Sequence, residues 1–203
     1  MAAAAAAGRV TRTGTDRLLE RVAARLAAHN PIPADDPGAI WAAVALVLVP
    51  DPDAVLLIRR AERAGDPWSG HIGLPGGRQN PRDSDLLATA AREAAEEVGI
   101  VLDQRACIGV LDDVAPRTPV LPPVAVRPFV FALSERPPLT LNPEVASTHW
   151  VELERLREPS AIRPYSLTVR GEPRTFPAYH IDELVVWGMT ERILSCFFQV
   201  VEM

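Results

Sequence analysis

One segment of this chain restricts its fold more than any other: a glycine pair, a polar loop and an amphipathic helix with acidic residues. The glycine pair is Gly76-Gly77, and the helix is predicted over residues 84–98 because apolar residues recur there every three or four positions. These apolar residues are Leu87, Ala91, Ala94 and Val98. Gly99 then stands where glycine commonly ends a helix in the left-handed conformation. The narrow apolar stripe predicts that the helix packs on a sheet.

Three glutamates, Glu93, Glu96 and Glu97, occupy one turn of this helix, and we expect them on the side opposite the apolar stripe. Neighbouring like charges destabilise an exposed helix by about 0.2–0.5 kcal/mol per pair, whereas a divalent cation would make the cluster favourable. Mg²⁺ usually takes one or two carboxylates together with substrate phosphate. The backbone of Gly76-Gly77 can approach a metal or phosphate closely because it carries no Cβ.

Either feature alone is ordinary, since acidic helix residues are usually a solvated face and a glycine pair is usually a turn. The joint order is different: Gly77, a spacer and the segment Arg92-Glu93-Ala94-Ala95-Glu96-Glu97-Val98-Gly99-Ile100 together resemble the Nudix box of the Nudix hydrolases. The resemblance implies that Glu93 and Glu97 bind the metal directly. Glu96 would be a further ligand or would orient metal-bound water, and the Gly77 carbonyl would contact a metal.

The resemblance also implies a positioning role for Arg92, which would pair with an acid in the loop and orient the glutamates. The common pattern has a glutamate six residues after the glycine and eight before the arginine. Here the sixth residue is Asp83, and Arg92 follows nine positions later. This longer loop resembles the coenzyme A pyrophosphatase branch of the family.

Segments outside the box resemble the same branch. They are Leu56-Leu57, Arg60-Ala61, Gly70, Leu74-Pro75-Gly76-Gly77, Leu111-Asp112-Asp113-Val114 and Trp187-Gly188-Met189-Thr190. Three positions depart from the pattern: Ile58 replaces a threonine, Leu74 replaces a phenylalanine, and Asp66 replaces an arginine and so reverses a charge.

These resemblances imply an Mg²⁺- or Mn²⁺-dependent pyrophosphohydrolase of nucleoside diphosphate derivatives. Coenzyme A or its thioesters would yield 4′-phosphopantetheine and adenosine 3′,5′-bisphosphate. The alternatives are a Nudix hydrolase acting on ADP-ribose or dinucleotides, or a non-catalytic Nudix-like module that binds nucleotides. The module would be expected to have lost one or more metal-binding glutamates, and this chain keeps all three.

Further residues are candidates for substrate contacts. The expected substrate-binding residues are Arg60, Arg78, Gly76, Gly77 and Glu144, and the expected catalytic residues are Glu93, Glu96, Glu97 and Arg92. Glu144 either assists water or metal or is a turn residue. The chain contains no lysine, so an arginine such as Arg59 is a weaker indicator of phosphate binding than usual.

Four other positions have two interpretations each. His71 is a structural histidine or a substrate contact, and Asp112-Asp113 is a strand-end turn or a second metal site. Trp68 and Trp150 are core residues or base-stacking residues. For each position the structural interpretation is favoured.

The predicted fold class is α/β (α+β), a Nudix-like α/β/α sandwich with a mixed central sheet and packed helices. Strands are predicted over 40–49, 54–58, 71–74, 107–111, 124–133, 148–151, 165–169 and 175–180, and helices over 15–28, 84–98 and 190–201 with a short one from Glu152. Pro75-Gly76-Gly77 is expected to end a strand and to begin a polar loop running to Arg82. The predicted organisation is a disordered tail (1–14), a helix and linker (15–37) and a Nudix hydrolase domain (38–203).

Charge and composition limit the partners. The formal net charge of −5 gives no general attraction to nucleic acid or to anionic membranes, and no apolar run reaches the ~20 residues of a membrane helix. Cys107 and Cys196 are far apart and form no metal-binding or disulfide pattern. We therefore expect a cytoplasmic protein with a small-molecule nucleoside diphosphate substrate. The sequence is compatible with a homodimer.

Overall fold

The computed structural model describes residues 14–36, 38–66, 68–116, 123–169 and 171–202. The predicted tail over 1–14 lies outside them except for its last residue. The helices are α1 (Gly14–Ala28), α2 (Leu86–Val98), α3 (Leu153–Arg157) and α4 (Met189–Glu202). No helix in these ranges is long and apolar enough to cross a membrane.

Ten strands form two sheets in the described residues. The central sheet contains β1 (Ile40–Val49), β2 (Ala54–Arg60), β3 (Ile72–Gly73), β4 (Gly76–Arg78), β5 (Cys107–Val110), β6 (Val124–Ala132) and β7 (Val145–Glu152). The small sheet contains β8 (Ile162–Val169), β9 (Glu172–Ile181) and β10 (Leu184–Trp187), all antiparallel.

The central sheet is mixed and is organised around β1. This strand pairs in parallel with β6 and antiparallel with β2 and β4. Its predicted bounds are confirmed, and so is the hairpin with β2. Its run of apolar residues is buried on both faces, because neighbours along the strand such as Leu46 and Val47 enter different cores.

The two cores lie on opposite faces of this sheet. Under α2, Ala90, Ala94 and Val98 are fully buried with residues of β1, β2 and β6. On the other face, α1 and α4 contribute residues such as Leu26 and Phe197. Burying a large apolar side chain contributes about 1.5–3 kcal/mol, so these two layers hold the helices on the sheet. The predicted α/β/α sandwich is confirmed.

Several predicted bounds need correction. Gly76 and Gly77 do not begin a loop; they form strand β4, because β1 offers them backbone partners. Strand β10 was not predicted, and β7 begins at Val145, three residues earlier than expected. Helix α2 begins at Leu86 rather than at residue 84, since Asp85 caps it.

Candidate active site

Both ends of α2 are fixed by local hydrogen bonds. The Asp85 carboxylate accepts a hydrogen bond from the Ala88 N–H at 2.7 Å, which satisfies one of the free donors of the first turn. At the other end Gly99 has φ 74°, the left-handed conformation predicted from the sequence, and its N–H donates to the Ala95 carbonyl. These caps set the register of the three glutamates relative to the sheet.

The glycine pair lets β4 pass between β1 and α2. A Cβ on Gly76 would collide with the Ala43 carbonyl oxygen and would lie 2.6 Å from the Val44 Cα. A Cβ on Gly77 would lie 2.5 Å from the nearest carboxylate atoms of Glu93. Glycine is therefore required at position 76 because of backbone contact, and at position 77 a Cβ would displace the Glu93 carboxylate, which lies against the Gly77 backbone.

Glu97 is buried, with only 2% of its surface exposed. This corrects the expectation that all three glutamates lie opposite the apolar stripe. Glu97 is three residues after the buried Ala94 and next to Val98, so its Cβ points towards the sheet. The Gly76 N–H donates to its Oε2 at 2.9 Å. Burial raises the Glu97 pKa to about 7, since this one backbone hydrogen bond offsets only part of the lost solvation.

Glu93 lies beside Glu97 and adds to this effect. Its side chain is 15% exposed, and burial raises its pKa although the neighbouring Arg92 guanidinium acts in the opposite direction. The negative charge of Glu93 also raises the pKa of Glu97. Glu144 raises the pKa of both groups by repulsion, while Arg60 lowers that of Glu97. Three charged side chains, those of Glu93, Glu144 and Arg60, therefore act on the Glu97 carboxylate.

Arg92 fastens the loop to the helix. Its Nε and Nη2 donate to the two carboxylate oxygens of Asp83 at 2.9 and 3.0 Å, so Asp83 is the loop acid that the resemblance implies. Its Nη1 lies 2.9 Å from both Glu93 Oε1 and Glu96 Oε2. The guanidinium hydrogen bonds hold the pKa of Asp83 well below its usual range.

One contributor to this arrangement escaped the sequence analysis. The Thr89 hydroxyl donates to Asp83 Oδ2 at 2.9 Å, which adds a neutral donor to the carboxylate that holds Arg92. The signal was its position: Thr89 precedes Arg92 by three residues and so shares its helix face.

A sequence model of the NUDIX domain matches residues 40–170, which include β4, α2 and most of the central sheet. The matched range is more than half of the chain. The chain belongs to the Nudix hydrolase family.

Curated relatives agree with the resemblance to the coenzyme A pyrophosphatase branch. The chain is 30% identical to the uncharacterized Nudix hydrolase NudL of Photorhabdus laumondii over 166 residues, which are 79% of this chain and 84% of that protein. It is 35% identical over 101 residues to the mouse mitochondrial coenzyme A diphosphatase NUDT8, covering 50% of this chain and 45% of that protein.

Two further comparisons concern longer proteins. The chain is 36% identical over 131 residues, 62% of its length, to the uncharacterized protein C14C4.10c of Schizosaccharomyces pombe, of which the match spans only 40%. The crystal structure of a MutT/nudix family protein from Enterococcus faecalis superposes with a TM-score of 0.59 at 22% identity, over 83% of this chain and 64% of that one. That second likeness concerns the fold alone.

The acids of this Nudix hydrolase suit a divalent cation shared with a substrate. In the described ranges, no three His, Cys, Asp or Glu side chains converge as a ready-made metal cage. Glu96 is 56% exposed, whereas Glu93, which is also paired with Arg92, is 15% exposed. Glu93 and Glu97 remain as two desolvated carboxylates beside a glycine backbone, and Mg²⁺ commonly takes one or two carboxylates plus substrate phosphate. The donor set fits such an ion.

The other predicted substrate-binding residues differ in their exposure and in their hydrogen bonds. Arg60 Nη2 donates to Asp66 Oδ2 at 2.9 Å, while its buried Nε has no hydrogen-bond acceptor among the described residues. Glu144 is 46% exposed and accepts from Arg63 at 3.1 Å. Arg78 has an exposed side chain, and its carbonyl accepts from Arg92.

The remaining candidates make their contacts with residues other than the three glutamates. Asp112 and Asp113 follow the end of β5 and hold the segment after α1 through hydrogen bonds, a structural role other than the predicted strand-end turn. Trp68 and Trp150 are partly buried and pack against the two apolar cores, as expected. The ring of His71 packs against Trp187, with centroids 4.7 Å apart.

Proposed function

We propose that this Nudix hydrolase cleaves the pyrophosphate of nucleoside diphosphate derivatives with the help of Mg²⁺ or Mn²⁺. The observation that carries the proposal is the pairing of Glu97, a buried carboxylate, with Glu93 against the glycine pair of β4. Two such carboxylates repel each other, so the arrangement gains stability from a cation. When bound, the ion would neutralise phosphate charge and lower the pKa of a water molecule.

Each residue at the site then has a definite task. Glu93 and Glu97 would hold the metal, with the Gly77 carbonyl as a further oxygen. Arg92 acts as a positioning residue, because it fixes Glu93 and Glu96 relative to Asp83. Glu96 would be a further ligand or would orient the attacking water.

The residues facing the glutamates would handle the substrate. Arg60, whose charge acts on Glu97, would attract the diphosphate, and the exposed Arg78 would add positive charge. Glu144 would assist the water, since its charge acts on both buried glutamates. Water attacks one phosphorus in line, and the bridging oxygen leaves with the other phosphate.

Within this class we favour coenzyme A or its thioesters, giving 4′-phosphopantetheine and adenosine 3′,5′-bisphosphate. Support comes from the segments shared with that branch and from the similarity to a mouse coenzyme A diphosphatase. Two of the three positions that depart from the sequence pattern of the branch do not argue against this substrate. Ile58 is 1% exposed and Leu74 is 5% exposed, so both are core substitutions.

The free thiols of Cys107 and Cys196 agree with a cytoplasmic location.

ADP-ribose or a dinucleotide is the alternative substrate, and Asp66 favours it. The Asp66 carboxylate occupies Nη2 of Arg60 and places a negative charge where the branch has an arginine. Because Asp66 replaces a positive charge with a negative one, it weakens the attraction between the protein and a substrate with an additional phosphate, such as the 3′-phosphate of coenzyme A.

The test is a substrate panel incubated in ¹⁸O-water with Mg²⁺, and mass spectrometry identifies the products and the phosphorus that gained the label. The panel pairs coenzyme A with dephospho-coenzyme A, and ADP-ribose with a dinucleotide. We expect turnover of at least one compound by the wild type and loss of turnover in Glu97→Gln. No turnover of any diphosphate, with nucleotide binding retained, would establish the non-catalytic module instead.

A further inference from the structure

Four aromatic rings form a cluster next to the candidate active site, outside both apolar cores. Trp187 at the end of β10 is its centre, with the rings of His71, Phe176 and Tyr165 at centroid distances of 4.7, 5.3 and 5.7 Å. All four side chains are half-buried. A ring that only filled the core would be buried, so this cluster has surface left for a ligand.

Strand alternation explains why these rings share one face of the small sheet. Val186 and Tyr179 point into the core of α1 and α4 and are 0% and 4% exposed. Trp187 follows Val186, and successive side chains of a strand point to opposite faces. Trp187 therefore faces away from that core, together with Phe176 and with Tyr165, which lies opposite Phe176 in the ladder.

The position of Trp187 is fixed by its connection to α4. Gly188 has φ 72°, a left-handed conformation that lets the chain turn sharply from β10 into the helix. The Thr190 hydroxyl then donates to the Ile72 carbonyl at 3.1 Å. This hydrogen bond ties the start of α4 to β3 and so holds Trp187 against the residue before Ile72, which is His71.

His71 also joins the cluster to the glutamate site. The Arg60 N–H donates to the His71 carbonyl at 3.0 Å, so the two residues are neighbours across β2 and β3. Arg60 is the arginine whose charge acts on Glu97. The charge of Arg60 also acts on the His71 side chain, so the aromatic cluster lies beside the arginine that acts on the glutamate site.

We propose that Trp187, with His71, Phe176 and Tyr165, forms a subsite that stacks on the planar heteroaromatic base of the substrate while its diphosphate lies against Arg60 and the glutamates. The inference rests on the proposed function, and it assigns substrate selection to the small sheet. Aromatic faces bind a base through stacking, and His71 joins this subsite to the diphosphate end.

The experiment measures binding rather than turnover. Calorimetric titration of adenosine monophosphate and of ribose 5-phosphate, which lacks the base, is carried out with Mg²⁺ on the wild type, Trp187→Leu, Trp187→Phe and Tyr179→Phe. Tyr179→Phe is the matched control, because Tyr179 lies on β9 but faces the core. Circular dichroism verifies that each variant is folded.

We expect the wild type to bind the base-containing ligand about tenfold more tightly or better, as expected for one stacked base. Trp187→Leu should remove most of this ratio, Trp187→Phe should keep part of it, and Tyr179→Phe should leave it unchanged. Equal weakening of both ligands in Trp187→Leu, or a wild type that does not distinguish them, overturns the inference. If Trp187→Leu does not fold, an unaltered ratio in Trp187→Phe contradicts stacking on Trp187.

The two proposals fail in different ways. A wild-type protein that turns over diphosphates but shows no preference for the base-containing ligand retains the proposed function and loses the subsite. A protein that prefers the base-containing ligand but turns over no diphosphate retains the subsite and loses the hydrolase activity.

Discussion

Two acidic clusters of this protein look alike in sequence and differ in how the fold treats their charge. Asp112-Asp113 and the glutamates of α2 both place carboxylates side by side near arginines, and both were candidate metal sites. Asp113 accepts from Arg127 Nε and Nη2, each at 2.8 Å. Asp112 accepts from His29 Nε2 and the Ile32 N–H, each at 2.9 Å. Glu97 is buried too, and the Gly76 N–H is its one donor among the described residues.

The difference separates acids whose charge the protein compensates from acids whose charge it compensates only in part. At Asp112-Asp113 the protein supplies the Arg127 guanidinium and N–H donors of its own, although a cleft of about 310 Å³ lies beside them. Their hydrogen bonds to His29, Ile32 and Ala34 fasten the segment that follows α1 to the end of β5. At Glu93 and Glu97 burial is only partly compensated, and a cation from solution would complete the compensation.

The largest expected effect is on catalysis by Glu97→Gln. Loss of an outer partner of a metal ligand typically costs 10- to 100-fold in activity, so removal of a direct ligand should lower kcat/KM by about 100-fold or more. The fold should be retained, because glutamine can still accept from the Gly76 N–H. Asp112→Asn is the matched control and should keep wild-type turnover. Near-wild-type kcat/KM in Glu97→Gln would remove the distinction between the clusters.

Asp113→Asn should chiefly affect stability. Its carboxylate is 1% exposed, and the substitution leaves Arg127 without its counter-charge, so the free energy of unfolding should fall by about 3 kcal/mol. Urea denaturation measures this loss, and turnover per folded molecule should not change. Loss of activity at full stability would mean that this cluster serves the reaction.

Asp83→Asn tests the ion pair between Asp83 and Arg92, in which the protein itself compensates the charge of an acid at the candidate active site. The pKa of Asp83 is lower in the folded state than in the unfolded state, where it is about 3.8. The ionised carboxylate therefore stabilises the fold fully at pH values above the unfolded-state pKa. This stabilisation disappears as the pH falls through the folded-state pKa. Asp83→Asn should therefore cost about 2 kcal/mol at pH 7, as expected for hydrogen bonds to a charged group, and the difference from wild type should shrink only below pH 4. Urea denaturation between pH 2 and 7 would show it, and a difference that does not depend on pH contradicts the ion pair with Arg92.

The smallest effect is expected for the stability of Asp112→Asn. The substitution weakens two hydrogen bonds at a carboxylate that is 30% exposed, so the free energy of unfolding should fall by about 1 kcal/mol. Thermal unfolding of the variant beside the wild type measures the loss. A loss as large as that of Asp113→Asn would mean that the two aspartates act as one buried unit.

Local patterns predicted most of the fold, and long-range contacts account for what they missed. The bounds of β1 follow from a run of apolar residues, and the end of α2 follows from Gly99. Strand β4 was missed because glycines have little strand propensity, and only the nearby β1 makes them a strand. The small sheet appeared in the sequence as a hairpin, but β10 is short and its pairing with β9 had no turn signal of its own.

The prediction of the candidate active site was limited in the same way, because it also missed long-range contacts. The order of Gly77, Arg92 and the glutamates identified the place in the sequence, and helical spacing puts Glu97 beside Ala94 and Val98 on the sheet side. The sequence does not display the approach of β4 to α2, which brings the Gly76 N–H to the Glu97 carboxylate. The role of Asp66 was likewise invisible, because its partner Arg60 lies on a different element.

The most direct test of the account is a calorimetric titration with Mn²⁺ on the wild type, Glu97→Gln and Asp112→Asn. If the fold leaves the glutamate charge for a cation to compensate, the wild type and Asp112→Asn should bind the ion alike and Glu97→Gln should lose most of that binding. Undiminished binding in Glu97→Gln, or loss of binding in Asp112→Asn, would contradict the account.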